Sequence, residues 1–168
     1  MYAQSTLSHR AEPRACRSVP TRSSDAKGDL QCLFKAYDAA CLDFDADAVA
    51  AFYDLPCLIS TPDGNGGFTA RGDLRAAFAQ AFSAYRRQGL VAASIVSLSI
   101  DTLSADFAQA RVIWSLANAR GADVVSFSCR YTLRHAGGKW RIAYAVTLDE
   151  VDRLARPKSP PLGLTARI

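Results

Sequence analysis

Residues Ala93–Leu148, ASIVSLSIDTLSADFAQARVIWSLANARGADVVSFSCRYTLRHAGGKWRIAYAVTL, read as four consecutive strands joined by short turns. Val96, Leu98 and Ile100 alternate with Ser97, Ser99 and Asp101. Ala108, Ala110, Val112, Trp114 and Leu116 alternate with Gln109, Arg111, Ile113 and Ser115. Val125, Phe127, Cys129, Tyr131 and Leu133 alternate with Ser126, Ser128, Arg130, Thr132 and Arg134. Trp140, Ile142, Tyr144 and Val146 alternate with Arg141, Ala143, Ala145 and Thr147. A period of two sends the two sets to opposite faces of a sheet. One face is apolar and aromatic; the other is small, hydroxylic and cationic. Such a sheet is antiparallel, and its apolar face requires a cover.

The cover is legible upstream. Leu30, Leu33, Phe34, Tyr37, Cys41 and Phe44 recur at helical spacing, which predicts a first helix over about 29–43. Asp45 is placed to cap a short second helix with Val49, Phe52 and Tyr53 on its apolar side, and Pro56 should stop it. Cys57–Thr61 reads as a strand, residues 63–67 as a glycine-rich turn, and Phe68–Ala70 as a short return strand. Leu74, Phe78, Phe82 and Tyr85 form the stripe of a third helix over about 73–88, between Gly72 and Gly89. The expected architecture is therefore α+β: three N-terminal helices packed on a strongly curved, mainly antiparallel sheet. A bent sheet closing on helices as a cone leaves a cavity lined by aromatic residues.

The chain has 168 residues, 49% of them hydrophobic, enough for one domain with its own core. We expect an arm over 1–27, a domain over 28–148 and an exposed extension over 149–168. The arm carries Arg10, Arg14, Arg17, Arg22 and Lys27 against Glu12 and Asp25, which is +3 of the chain's net charge of +4. Its Ser, Arg and Pro content predicts disorder, and its basic, acid-poor character has a weak likeness to an organelle-targeting peptide. The rest is nearly neutral, which gives no electrostatic case for nucleic-acid binding. No apolar run reaches the length of about 20 residues that a membrane span needs, and no secretory signal is apparent. Five cysteines without a CxxC pair argue against a disulfide framework or a metal site, and for reduced thiols in the cytoplasm.

Three stretches carry a family resemblance. Residues Phe44–Tyr53, FDADAVAAFY, join the first two helices; Gly67–Phe78, GFTARGDLRAAF, open the third; Gly137–Ile142, GGKWRI, close the sheet. Together with the element order they resemble the nuclear transport factor 2-like (NTF2-like, cystatin-like) superfamily over about 29–148. The flavour is similar to the SnoaL-like proteins, and through them to ketosteroid isomerases and scytalone dehydratases. The resemblance implies an α+β cone, a hydrophobic pocket and a homodimer formed through the outer sheet face. Isomerase-like members use a tyrosine on the first helix, a carboxylate base before a proline and a protonated acid on a strand. Tyr37 falls where the tyrosine should be, Thr61 before Pro62 falls where the base should be, and Cys129 or Arg130 falls where the acid should be. Threonine cannot take a proton from a carbon acid near neutral pH, and neither Cys129 nor Arg130 mimics a neutral carboxylic acid. Dehydratase-like members use pocket histidines, and here the histidines are His9 in the arm and His135 in a hairpin.

The residues thus point to a pocket without an intact isomerase set. Candidate ligand-binding residues are Tyr37, Thr61, Phe78, Phe82, Trp114, Cys129, Tyr131 and Tyr144, each of which could equally be core. Candidate catalytic residues are Tyr37, as a donor to a ligand carbonyl, and Asp63, as a base at the pocket mouth; a core tyrosine and a turn aspartate are the plainer readings. Asp38 and Asp43 are expected to be solvated. Residues 64–67 lack the Gly-Lys-Ser/Thr signature of a phosphate loop. Cys41 and Cys129 should behave as small hydrophobes. Arg111, Arg130, Arg134, Lys139 and Arg141 on the outer face suit a solvated surface, a dimer interface or an acidic partner. Two functions follow: a homodimeric pocket protein for a small apolar ligand, polyketide- or steroid-like, with no cofactor; or an isomerase, cyclase or dehydratase using Tyr37 with Asp63.

Overall fold

The computed structural model describes residues 23–149; the expected arm up to residue 22 and the extension beyond 149 lie outside them. The elements run α1 (Ser23–Leu42), α2 (Ala46–Ala51), β1 (Tyr53–Thr61), β2 (Gly64–Phe68), α3 (Arg71–Arg87), β3 (Leu90–Thr102), β4 (Phe107–Asn118), β5 (Asp123–Ala136) and β6 (Lys139–Thr147). All six strands form one curved sheet in the order β2-β1-β6-β5-β4-β3. Every pair is antiparallel except β1 with β6, which is parallel. The helices cover the inner face, and the expected α+β cone is the observed fold.

The α1 stripe is buried as its spacing demands: Leu30, Phe34, Tyr37 and Cys41 all face the core. The helix starts at Ser23 rather than Asp29. It ends at Leu42, and Phe44 just beyond it has a left-handed φ of +52°. Phe44 N–H donates to Cys41 O and Asp45 N–H to Ala40 O, a closing pattern that usually has glycine at this position. Phenylalanine is tolerated because its ring stacks on Phe82 at 4.9 Å and is buried there. Asp45 caps α2 as expected, its carboxylate accepting from Ala48 N–H at 3.0 Å.

The N-terminal half of the sheet departs from the sequence reading. Pro56 does not end a helix; it lies inside β1, which begins at Tyr53, and the Leu55–Pro56 peptide is cis. The turn between β1 and β2 is the dipeptide Pro62-Asp63, and the glycines at 64–67 are strand residues paired with β1. Gly66 has a steric reason: a Cβ there would meet the Phe68 ring at 3.0 Å. Gly72 falls within α3 rather than before it, whereas Gly89, with φ +78°, follows its end as expected.

Four register shifts interrupt the meander, two between β3 and β4 and one each between β4 and β5 and between β5 and β6, and two of them redirect side chains at the cavity. In β3 the register shifts between Ile95 and Ser97, and Val96 is turned out to solvent instead of lying on the apolar face. The Asp38 carboxylate, expected to be solvated, accepts the Ile95 N–H at 2.6 Å at this bulge. In β6, Thr132 pairs with Tyr144 but Leu133 with Ile142, so Ala143 is the extra residue. Beyond it the faces exchange. Ala145 and Thr147 point to the core, and Tyr144 and Val146 turn outward, opposite to the sequence assignment.

A candidate ligand cavity between helices and sheet

A cavity of about 660 Å³ lies between the inner sheet face and the helices α1 and α3. That volume is in the range of small-molecule sites. Aromatic and small side chains share its wall. Phe78, Phe82 and Tyr85 come from the α3 stripe, Trp114 and Leu116 from β4, Phe127, Cys129 and Tyr131 from β5. Ala93 and Ala145 keep the wall thin where larger residues would fill the space.

Polar atoms in the wall are paired with one another. The Tyr37 and Tyr53 hydroxyls are 3.1 Å apart. Trp114 Nε1–H donates to the Tyr131 hydroxyl at 3.0 Å. The Cys129 thiol donates to Thr147 Oγ1 at 3.6 Å. Four further ring contacts surround Tyr37, from Phe34, Phe52, Trp114 and Tyr131, at centroid distances of 5.3–6.3 Å. Each ring is edge-on to it, the arrangement favoured by ring quadrupoles. Tyr131 accepts from Trp114, and its hydroxyl is also in hydrogen-bond contact with the Cys129 thiol, as that of Tyr37 is with Cys41.

Burial keeps this wall uncharged. Desolvation raises the pKa of Tyr37, Tyr53 and Tyr131 above the ordinary phenol value. It raises the Cys41 thiol as well, and pushes that of Cys129 up to about 11. At neutral pH none of these five groups carries charge, so none of them offers a phenolate or a thiolate. Among the described residues no His, Cys, Asp and Glu side chains cluster in a metal-binding arrangement.

Seven of the eight candidate ligand-binding residues line the cavity: Tyr37, Thr61, Phe78, Phe82, Trp114, Cys129 and Tyr131. Tyr144 does not; the Ala143 bulge turns it outward, where its hydroxyl meets Ser60 Oγ at 3.1 Å. Asp63 lines the mouth and is exposed, while Tyr37 lies on the buried wall. His135 is absent from the wall, its ring packing on Trp140 at 5.0 Å. Sequence reasoning missed Tyr53, which it assigned to the apolar side of α2. Its one signal was the proline three residues on, which marks extended chain just as well as a helix stop. Thr147 and Ala145 were missed because a bulge leaves no trace in an alternating pattern.

The outer face gathers the cations expected there. Arg134 pairs with Asp54, Nε at 2.7 Å from Oδ2, and Arg141 donates to Ala51 O at 2.8 Å. Arg111 stands directly opposite Arg130 on neighbouring strands, and both are exposed.

This architecture has relatives. The chain belongs to the NTF2-like proteins: residues 29–150 match the family described as NTF2-like protein (DUF6841). Among solved structures it is similar to a protein of unknown function with a cystatin-like fold from Nostoc punctiforme. The two are 15% identical, with a TM-score of 0.62, over 75% of this chain and 92% of that one. An NTF2-like protein from Novosphingobium aromaticivorans matches at 17% identity and a TM-score of 0.63, over 76% of this chain and 83% of the other. A ketosteroid isomerase-like protein from Erwinia carotovora atroseptica matches at 22% identity and a TM-score of 0.54, over 72% and 93%. At these identities the likeness is one of fold. No curated protein matches the sequence.

Proposed function

We propose that this protein binds a small apolar molecule, polyketide- or steroid-like in size and shape, within the cone, and belongs to the SnoaL-like branch of its superfamily. The single observation carrying this reading is the cavity: about 660 Å³, walled by aromatic rings and paired hydroxyls, with Asp63 at its mouth the one charged side chain among the described lining residues. A ring compound would stack against Phe78, Phe82 and Trp114, and a carbonyl on it would accept from the Tyr37–Tyr53 pair or from Tyr131. The protein acts as a homodimer through its outer sheet face, without a cofactor. Buried cysteines 41, 57 and 129, none in a disulfide, support a reducing cytoplasmic setting. The 28–148 segment is the working domain, with the arm and extension as appendages.

The test is direct. Ala81, half-buried on the α3 side of the cavity, is replaced by phenylalanine. Titration of a neutral naphthalene derivative, followed by Trp114 fluorescence, should show saturable binding to the native protein, weakened at least about tenfold by Ala81→Phe, the scale of losing about 1.4 kcal/mol. Absence of saturable binding to the native protein rejects the reading.

A second reading, an isomerase, cyclase or dehydratase, is favoured by one fact: Tyr37 and Asp63 border the same cavity. It requires the Asp63 carboxylate to reach a carbon acid whose carbonyl is held by Tyr37. Deuterium uptake next to the carbonyl of a bound cyclic ketone, lost in Asp63→Asn, is the outcome it demands; exchange no faster than in buffer removes it.

A further inference from the structure

We infer that the mouth of the cavity is a charge filter: it takes apolar molecules bearing a protonated amine and turns away anionic ones such as carboxylates. The inference rests on the ligand-binding reading above and adds the class of head group. The solvent-exposed members of the wall mark the mouth, and they are Asp63, Gly64, Asn65 and Gln88. Among the described residues of the wall, Asp63 alone is charged at neutral pH, and it has no ion-pair partner among the described residues. Among the described residues no cation is paired with the carboxylate that an entering molecule meets.

The other side of the rim is a helix end. Helix α3 delivers its C-terminal turn there, through Ala84, Tyr85 and Gln88. The carbonyl end of a helix carries partial negative charge. That end has two exposed cations of its own, Arg86 and Arg87, which offset it. Arg86 lies over the Phe44 ring at 5.3 Å and donates to Asp43 O, while Arg87 donates back along the helix to Ser83 Oγ. Neither lines the cavity. The side-chain carbonyls of Asn65 and Gln88 can take further protons of an ammonium group. Gly64 and Gly66 add no side chain to crowd it.

Below the rim an anion finds no countercharge, since the interior holds only neutral hydroxyls and thiols. A carboxylate ligand would have to shed water without compensation, at a cost far above that of a neutral group. The cations of the outer face, Arg111, Arg130, Arg134 and Arg141, lie on the opposite side of the sheet. Among the described residues of the wall, the one charged side chain is thus opposite in sign to the net charge of the chain.

Three probes with one ring system decide the matter: naphthylmethylamine, naphthylmethanol and naphthoate, each titrated calorimetrically into the full chain at low salt. The amine should bind about tenfold or more tighter than the naphthoate, with the alcohol between, a scale set by one charge pair at partly solvated separation. The gap should shrink as salt is raised, because the mouth is exposed. In Asp63→Asn, which suits the same turn, the ratio of amine to naphthoate affinity should fall at least about threefold. Equal affinity for the three probes, or a preference for naphthoate, overturns the filter and leaves the ligand-binding reading standing. A salt-insensitive preference overturns it as well. Failure of all three to bind overturns both.

Discussion

Individual side chains on the cavity wall are polar but held neutral, and that has a pH signature. Cys129 in the folded protein titrates at about 11, against an ordinary 9.0, because burial penalises the thiolate. The folded pKa is the higher one, so the stability it contributes is whole below pH 9.0 and is lost as pH rises through about 11. Two units correspond to about 3 kcal/mol. Tyr37, Tyr53 and Tyr131 act in the same direction at higher pH. Thermal melting should therefore hold its midpoint up to about pH 9 and drop steeply above it. Cys129→Ala should flatten the first part of that drop. A midpoint unchanged between pH 9 and 11 in the native protein would show the thiol to be solvated instead.

Among the elements, β6 decides which side chains see the cavity. Its first half follows the β5 alternation, and the extra residue Ala143 exchanges the faces of its second half. A single-residue change of register moves every later side chain to the other face. Deletion of Ala143 removes the bulge yet keeps Ala145 and Thr147 inward, so the variant should fold, with a melting point lowered by only a few degrees. Insertion of one alanine after Tyr144 should push Ala145 and Thr147 outward and bring Val146 inward, lowering the melting point by about 10 °C or more, as expected when a loss of several kcal/mol meets a domain of this size. Equal tolerance of the two changes would rule out the bulge at Ala143. The β3 bulge serves the same end from the other edge: Val96 turns out, and Asp38 on α1 ties the Ile95 amide to the helix layer.

On the scale of the whole molecule, the sheet separates two environments. Inside are rings, hydroxyls and thiols without charge. Outside, Arg111 faces Arg130, an arrangement that costs about 0.2–1 kcal/mol unless an acid lies near. Leu58 (40% exposed) and Ile113 (38%) share that face with Tyr144. This is the face through which we propose that two copies of the chain meet. Sedimentation should show a dimer at micromolar concentration, weakened at least about tenfold by Leu58→Glu, with the melting of the monomer little changed because Leu58 is exposed. A monomer at every concentration would leave the outer face solvated.

The sequence by itself determined the sheet meander, the α1 and α3 stripes, the Asp45 cap and the Gly89 stop. These are local signals: a period of two, a spacing of three or four, a capping carboxylate and a left-handed glycine each act within a few residues. Seven of the eight ligand-binding candidates border the cavity, because side chains on the inward faces of sheet and helices are the ones a cavity between them meets. Only the tertiary structure decided that Pro56 lies in a strand, that Asp38 serves the β3 bulge, that Tyr53 pairs with Tyr37 and that Tyr144 leaves the wall for Thr147 and Ala145 to join it. Each of those depends on partners distant in the chain: β1 becomes a strand by pairing with β6, and a bulge exists only in the register between two strands. Such pairings are set by how the layers close on one another, and no window along a single segment contains them.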